Sequence, residues 1–181
     1  FRAGIPWPSL LHSWTILDSH DTARFRTVSG SRERQVVGIG LQMTTPGVPM
    51  VFAGGELGLE GEWGEDARRT IPWGRPDTWD VELLESYRAL IALRRSSSAL
   101  ARGGIRYAHV SADALAYLRE APDETILCLA ARSSHEPVRI GLAALGGLTH
   151  LDTLWGEEAT IDGDEAVLPA NGPAFHVWRA V

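Results

Sequence analysis

The sequence predicts an α/β segment followed by an all-β one: the last two strand-helix units of a (β/α)8 TIM barrel over residues 1–102, then a C-terminal antiparallel β-sandwich over residues 103–181. Three observations lead there. The aliphatic and β-branched run Trp14-Thr15-Ile16-Leu17 breaks off into Asp18-Ser19-His20-Asp21, as a barrel strand does when it delivers polar side chains to its C-terminal rim. A helical pattern over 32–44 leads straight into a second apolar run over 48–53, giving strand, helix and strand in quick succession. Beyond Ser98 the pattern changes to short strands between turn residues, the texture of a sandwich.

After the first strand, Ser29-Gly30-Ser31 interrupts the chain, and Ser31 is expected to cap a helix that Pro46-Gly47 stops. Val36, Val37, Gly40, Leu41 and Thr44 are expected on one face of it. The run Val48-Pro49-Met50-Val51-Phe52-Ala53, closing on Gly54-Gly55, reads as a parallel strand buried on both faces. Segment 56–79 is rich in Gly, Trp and charge without a period, so it reads as a long rim loop. Leu83, Leu84, Tyr87, Leu90, Ile91 and Arg94 then fall at helical spacing over 80–96, with Asp77 or Thr78 as the expected cap. Arg102-Gly103-Gly104 supplies the break between the two parts. Strands are expected over 105–110, 114–120, 125–131, 138–142 and 174–181, with Ala121-Pro122-Asp123-Glu124 as a hairpin turn.

Composition narrows the partners. A net charge of -6 supplies no basic face for phosphates, which argues against nucleic acid or a membrane surface and in favour of a small neutral ligand. No apolar run reaches the roughly 18 residues that a membrane helix needs. All 17 basic residues are arginine, a feature of coding bias that carries no mechanism. Cys128 is the one cysteine and sits in the apolar run Ile126-Leu127-Cys128-Leu129-Ala130, so it reads as a buried, inert thiol. His109, His135, His150 and His176 lack ligand-like spacing, and no metal or other cofactor is expected in this segment. Compartment is left open, as is calcium on segments outside this one.

Several blocks, in order, resemble one family. Ile16-Leu17-Asp18-Ser19-His20-Asp21-Thr22, then Leu41-Gln42-Met43-Thr44, then the run from Pro46 through Phe52-Ala53-Gly54-Gly55-Glu56 to Leu59, then Arg68-Arg69-Thr70-Ile71-Pro72-Trp73 resemble the C-terminal part of the α-amylase family of glycoside hydrolases. The Asp-Ser-His-Asp-Thr form is most similar to the neopullulanase, cyclomaltodextrinase and maltogenic amylase branch; much of the wider family carries Asn at the position of Ser19. The family's usual Gly-Asp-Glu is Gly54-Gly55-Glu56 here, so no role passes to Gly55, and Glu56 is given only a structural one.

The resemblance implies a seventh barrel strand ending at His20-Asp21, an eighth over 48–53, and an activity: retaining hydrolysis of α-1,4-glucosidic bonds in cyclodextrin, pullulan or maltooligosaccharides. Such hydrolysis uses one carboxylate to attack, a second carboxyl to protonate the leaving oxygen, and hydrogen bonds to sugar hydroxyls that tighten as the ring flattens. Asp21 is implied as the third, transition-state-stabilising carboxylate. His20 is implied as a donor to a neighbouring hydroxyl. Arg24, at the spacing of a rim residue, is expected to touch sugar or to hold Asp21 by charge. Asp66, Arg68 and Arg69 are expected as loop scaffold, and packing is the expected role of Trp63, Trp73 and Trp79, ahead of stacking on glucose.

The nucleophile and acid/base of this family come from earlier strands and match nothing in this sequence. The chain also begins at Phe1 without an initiator Met. The expectation is therefore the tail of a larger enzyme, inactive alone and prone to associate with further copies through open strand edges. Two alternatives remain at this point: a transglycosylase of the same family, and a family-like protein without catalysis that serves as a carbohydrate-binding or assembly module.

Overall fold

The computed structural model describes residues 4–181. A short helix α1 (Trp7–Leu11) precedes strand β1 (Trp14–Ile16), helix α2 (Phe25–Ser29), helix α3 (Arg32–Thr44) and strand β2 (Val48–Met50). β1 and β2 pair in parallel, Trp14 against Val48 and Ile16 against Met50, with α3 as the crossover between them. Ser31 caps α3 by accepting from the Arg34 N–H, and the helix ends before Pro46-Gly47, as expected.

Two expectations for this region need correction. The buried side of α3 carries Gln35, Ile39, Gln42 and Met43 in addition to Gly40 and Thr44, while Val36, Val37 and Leu41 are only half-buried. The helix is gripped on several sides: Val36, Ile39 and Met43 face a cluster with the later helix, and Val37 and Leu41 face the β-sheets. The strand expected over 48–53 spans three residues and is not buried on both faces; Val48 is 42% exposed. Among the described residues β2 pairs with β1 alone, so nothing covers its far edge, and Pro49 contributes no N–H to a ladder.

The loop after β2 contains 3-10 turns at Gly55–Leu57, Gly64–Arg68 and Pro76–Thr78. Helix α4 (Val81–Ser96) follows, capped by Asp80, whose Oδ1 accepts from the Leu83 N–H at 3.1 Å. Asp77 and Thr78 lie in the preceding 3-10 turn and do not cap it. Helix α5 (Ser98–Arg102) was not anticipated; Ser97 caps it through the Leu100 N–H.

Then come strands β3 (Gly104–Val110), β4 (Ala114–Ala121), β5 (Glu124–Ala131), β6 (Val138–Gly141), β7 (Leu151–Trp155), β8 (Thr160–Asp162), β9 (Glu165–Leu168) and β10 (Ala174–Ala180). They form antiparallel sheets ordered β3-β4-β5-β10-β7 and β6-β9-β8. Alternation along β5 explains its unbroken apolar run. Leu127 and Leu129 point toward the core shared with the smaller sheet, whereas Ile126, Cys128 and Ala130 pack with residues of α3, α4 and α5.

The junction is polar as well as apolar. The last carbonyls of α3 have no partner within the helix. Arg94 Nη1 donates to Met43 O at 2.7 Å and Thr45 O at 3.1 Å, and the buried Arg119 donates to Thr44 O and, at 2.8 Å, to Gly103 O. The hydroxyls of Thr44 and Tyr117 lie 2.5 Å apart. The helical part is thereby fixed on the sandwich. No described helix is long and apolar enough to cross a membrane.

Candidate active site

β1 ends at Ile16, and the next residues turn in opposite directions. Asp18 is buried and accepts from the Phe25 N–H at the start of α2, 2.8 Å away. Burial pushes its carboxyl pKa up; the Phe25 N–H and the Arg24 charge pull it back in part, and Glu56 adds to the rise. His20 and Asp21 face solvent, their side chains 66% and 67% exposed. The turn that presents them is held locally: Ser19 N–H donates to Thr22 Oγ1 at 2.9 Å, Thr22 N–H to Ser19 O at 3.2 Å, and Asp21 N–H to Ser19 Oγ at 3.2 Å. A polar four-residue turn of this kind costs the fold little and leaves the side chains of His20 and Asp21 exposed.

Asp21 and His20 lie together, Oδ2 to Nε2 at 3.3 Å. Arg68 joins them from the loop after β2: its Nε donates to His20 O at 2.9 Å and its Nη2 reaches Asp21 Oδ1 at 3.4 Å. The sequence had placed Arg68 among scaffold residues. Nothing in local spacing links it to a partner so distant in the chain; the adjacent Arg68-Arg69 pair was the available signal. Arg69 instead pairs with Asp66, which accepts from the Glu62 N–H at 2.9 Å, and both contacts hold the Asp66 carboxyl below its usual range.

Arg24 is placed differently from the sequence expectation. It is 1% exposed, with Nε donating to Ala67 O at 2.7 Å and Nη1 to Ala53 O at 2.9 Å. Its charge lies over the Phe52 ring and opposite Asp18 and Glu56. The guanidinium is turned inward because the carbonyls of Ala67 and Ala53 and an aromatic face satisfy it there, so Arg24 touches neither Asp21 nor open solvent. It positions the backbone around the site.

The segment after β2 lies beside this turn. Phe52 stands 6.5 Å from the His20 ring. Glu56 folds back to accept from the Gly54 N–H at 2.8 Å, an arrangement that uses the left-handed backbone of Gly54, φ 92°. A side chain at Gly55 would point toward Asp18 and the Tyr87 hydroxyl. A carboxylate there would thus stand beside the already buried Asp18, and glycine leaves Asp18 without that like-charged neighbour. Gln42 ties the two strands together, donating through Nε2 to Thr15 O at 2.9 Å and Met50 O at 2.8 Å. Among the described residues no group of three or more His, Cys, Asp and Glu side chains could hold a metal ion.

Residues 106–173 match the family described as Maltogenic Amylase, C-terminal domain. Neopullulanase 2 of Thermoactinomyces vulgaris is 36% identical over 149 residues, covering 80% of this chain and 25% of its own length. A cyclomaltodextrinase of Bacillus sp. is 33% identical, covering 69% of this chain and 23% of its own length. The chain therefore spans about a quarter of the length of these curated relatives. A solved cyclomaltodextrinase superposes with TM-score 0.85 at 26% identity, over 99% of this chain and 31% of that one. The fold is shared with an α-amylase from Geobacillus thermoleovorans solved with acarbose, TM-score 0.85 at 21% identity over 97% of this chain and 42% of that one. With the domain match in the β-sheets and relatives more than 30% identical over at least two thirds of the chain, the chain belongs to the α-amylase family and includes its maltogenic-amylase C-terminal domain.

Proposed function

We propose that this chain is the closing part of a retaining glycoside hydrolase that cleaves α-1,4-glucosidic bonds, with residues 1–102 completing a catalytic (β/α)8 barrel and residues 103–181 forming a sandwich that buttresses it. The observation that carries the reading is the exposed Asp21 carboxylate at the end of β1, beside His20 and under the Arg68 guanidinium. Sugar hydroxyls would bond to Asp21 and His20. An ionised carboxylate near a sugar carbon that gains positive charge stabilises the transition state more than the ground state.

The nucleophile and the acid/base are assigned to other strands of the whole barrel, so the isolated chain is inactive. The open edges of the β1-β2 pair are where neighbouring barrel strands would add, and in the isolated chain they would promote association between copies. Arg24 and Asp18 hold the strand ends in place and do not touch substrate.

The names neopullulanase and cyclomaltodextrinase carried by its relatives direct the choice of substrates: cyclodextrin, pullulan and maltooligosaccharides. Transglycosylation is the second reading, favoured by a cyclomaltodextrin glucanotransferase of Bacillus sp. (strain 38-2) that is 27% identical over 92% of this chain. The experiment is product analysis with the full-length protein on these three substrates. Release of reducing ends that first appear as the α-anomer is expected. Predominant formation of longer or cyclic products would replace hydrolysis by transfer, and no action on any α-glucan would end the enzyme reading.

A further inference from the structure

Glu157 lies in the turn that carries the chain from β7, in the larger sheet, to β8, in the smaller one. It is held there at three points by β10 and the segment leading into it. Its N–H donates to His176 Nδ1 at 3.0 Å, its carbonyl accepts from Trp178 Nε1 at 2.9 Å, and its Oε2 accepts from Asn171 Nδ2 at 3.3 Å. The preceding Gly156 turns with a left-handed φ of 85°, and a Cβ on it would fall 2.3 Å from His176 Nδ1, so the turn lies directly against the ring.

The surroundings of that ring admit one protonation state. His176 is buried, stacked on Trp178 and paired across β10 with Leu129 of β5. Its side of β10 faces the core that includes Ala166 and Leu168 of β9, and Trp155 of β7 stands beside Val177. Glu157 is the charged group that acts on it; burial lowers its pKa against that pull. An acceptor at Nδ1 carries its single proton on Nε2, and Nε2 is buried without a hydrogen-bond partner among the described residues. A second proton sets N–H against N–H at Glu157 and leaves a cation among apolar side chains, with no acceptor for either ring nitrogen. We propose that His176 is an acid-operated latch between the two sheets: neutral, it holds the β7–β8 turn on β10, and protonated, it releases Glu157 while the rest of the sandwich stays folded. Gly156 is the pivot, and the bonds from Trp178 and Asn171 limit how far the turn moves.

The test is amide hydrogen exchange in the full-length protein at pH 8 and pH 5, corrected for the intrinsic pH dependence of exchange, for the natural sequence and His176→Asn. In the natural protein the protection of the Glu157 N–H is expected to fall about tenfold or more at pH 5, with residues 115–120 and 126–131 keeping theirs. His176→Asn, whose side-chain oxygen accepts at either pH, is expected to show no such fall. Unchanged protection at Glu157, a fall shared equally by β4 and β5, or the same fall in His176→Asn would each overturn the latch. The two pH values on the natural protein decide the matter even where the variant fails to fold. No catalytic readout enters, so the outcome is independent of the hydrolase reading.

Discussion

The guanidinium carbon of Arg24 lies 4.0 Å from the centroid of the Phe52 ring, and the same side chain donates to the carbonyls of Ala53 and Ala67. One buried cation thus joins the segment after β1 to the segment after β2 and to the loop beyond. Arg24→Ala leaves two carbonyls unpartnered and a ring face uncovered. A loss of about 3 kcal/mol in urea unfolding is expected, with Arg24→Lys recovering only part of it because an ammonium cannot reproduce the planar fork.

Gly40 meets β10 without room for a methyl: a Cβ there would fall 2.2 Å from the Phe175 ring. Gly40→Ala forces the helix away from the sheet or the ring out of its place. A loss of about 1–3 kcal/mol is expected in the same unfolding assay. A neutral result would mean that the α3-sheet contact gives way easily.

Cys128 is fully buried and burial pushes its thiol up to about 12. Thiolate is the reactive form, so the native protein should resist a thiol reagent at pH 8 and react fully in denaturant. Rapid native labelling would show that β5 opens readily.

His176 is buried and stacked on Trp178, its Nδ1 accepting from the Glu157 N–H at 3.0 Å. Burial pulls its pKa below the usual 6.5, opposed by the Glu157 charge. The unfolded chain therefore takes up the proton first, so the contribution of His176 to stability is complete above 6.5 and is lost as pH falls through the folded value. Between pH 8 and pH 5 the natural protein should lose more Tm than His176→Asn, whose side-chain oxygen can still accept from the Glu157 N–H.

Local chemistry made much of this fold readable. Ser31 and Pro46-Gly47 bracket α3, and the hairpin turn at Ala121-Pro122-Asp123-Glu124 joins β4 to β5 where expected. Helix α5 escaped because it is only five residues long and lies where the pattern beyond Ser98 turns to short strands, although Ser97 caps it. Strands β7, β8 and β9 are short, and β8 is exposed throughout, so they carry too little alternation to stand out. In the candidate site, the exposed position of the His20-Asp21 pair beyond β1 was legible because the pair ends an apolar run. The inward turn of Arg24 and the reach of Arg68 were not, since each depends on carbonyls and carboxylates brought near by tertiary structure.

The measurement that bears most directly on the central claim is kcat of Asp21→Asn in the full-length protein on an α-glucan, with Tm as the control. Asp21 is exposed and makes only long contacts to His20 and Arg68, so Tm should stay within about 1–2 °C. Turnover should fall by at least about 100-fold. A variant that folds normally and turns over at the natural rate would contradict the role assigned to Asp21.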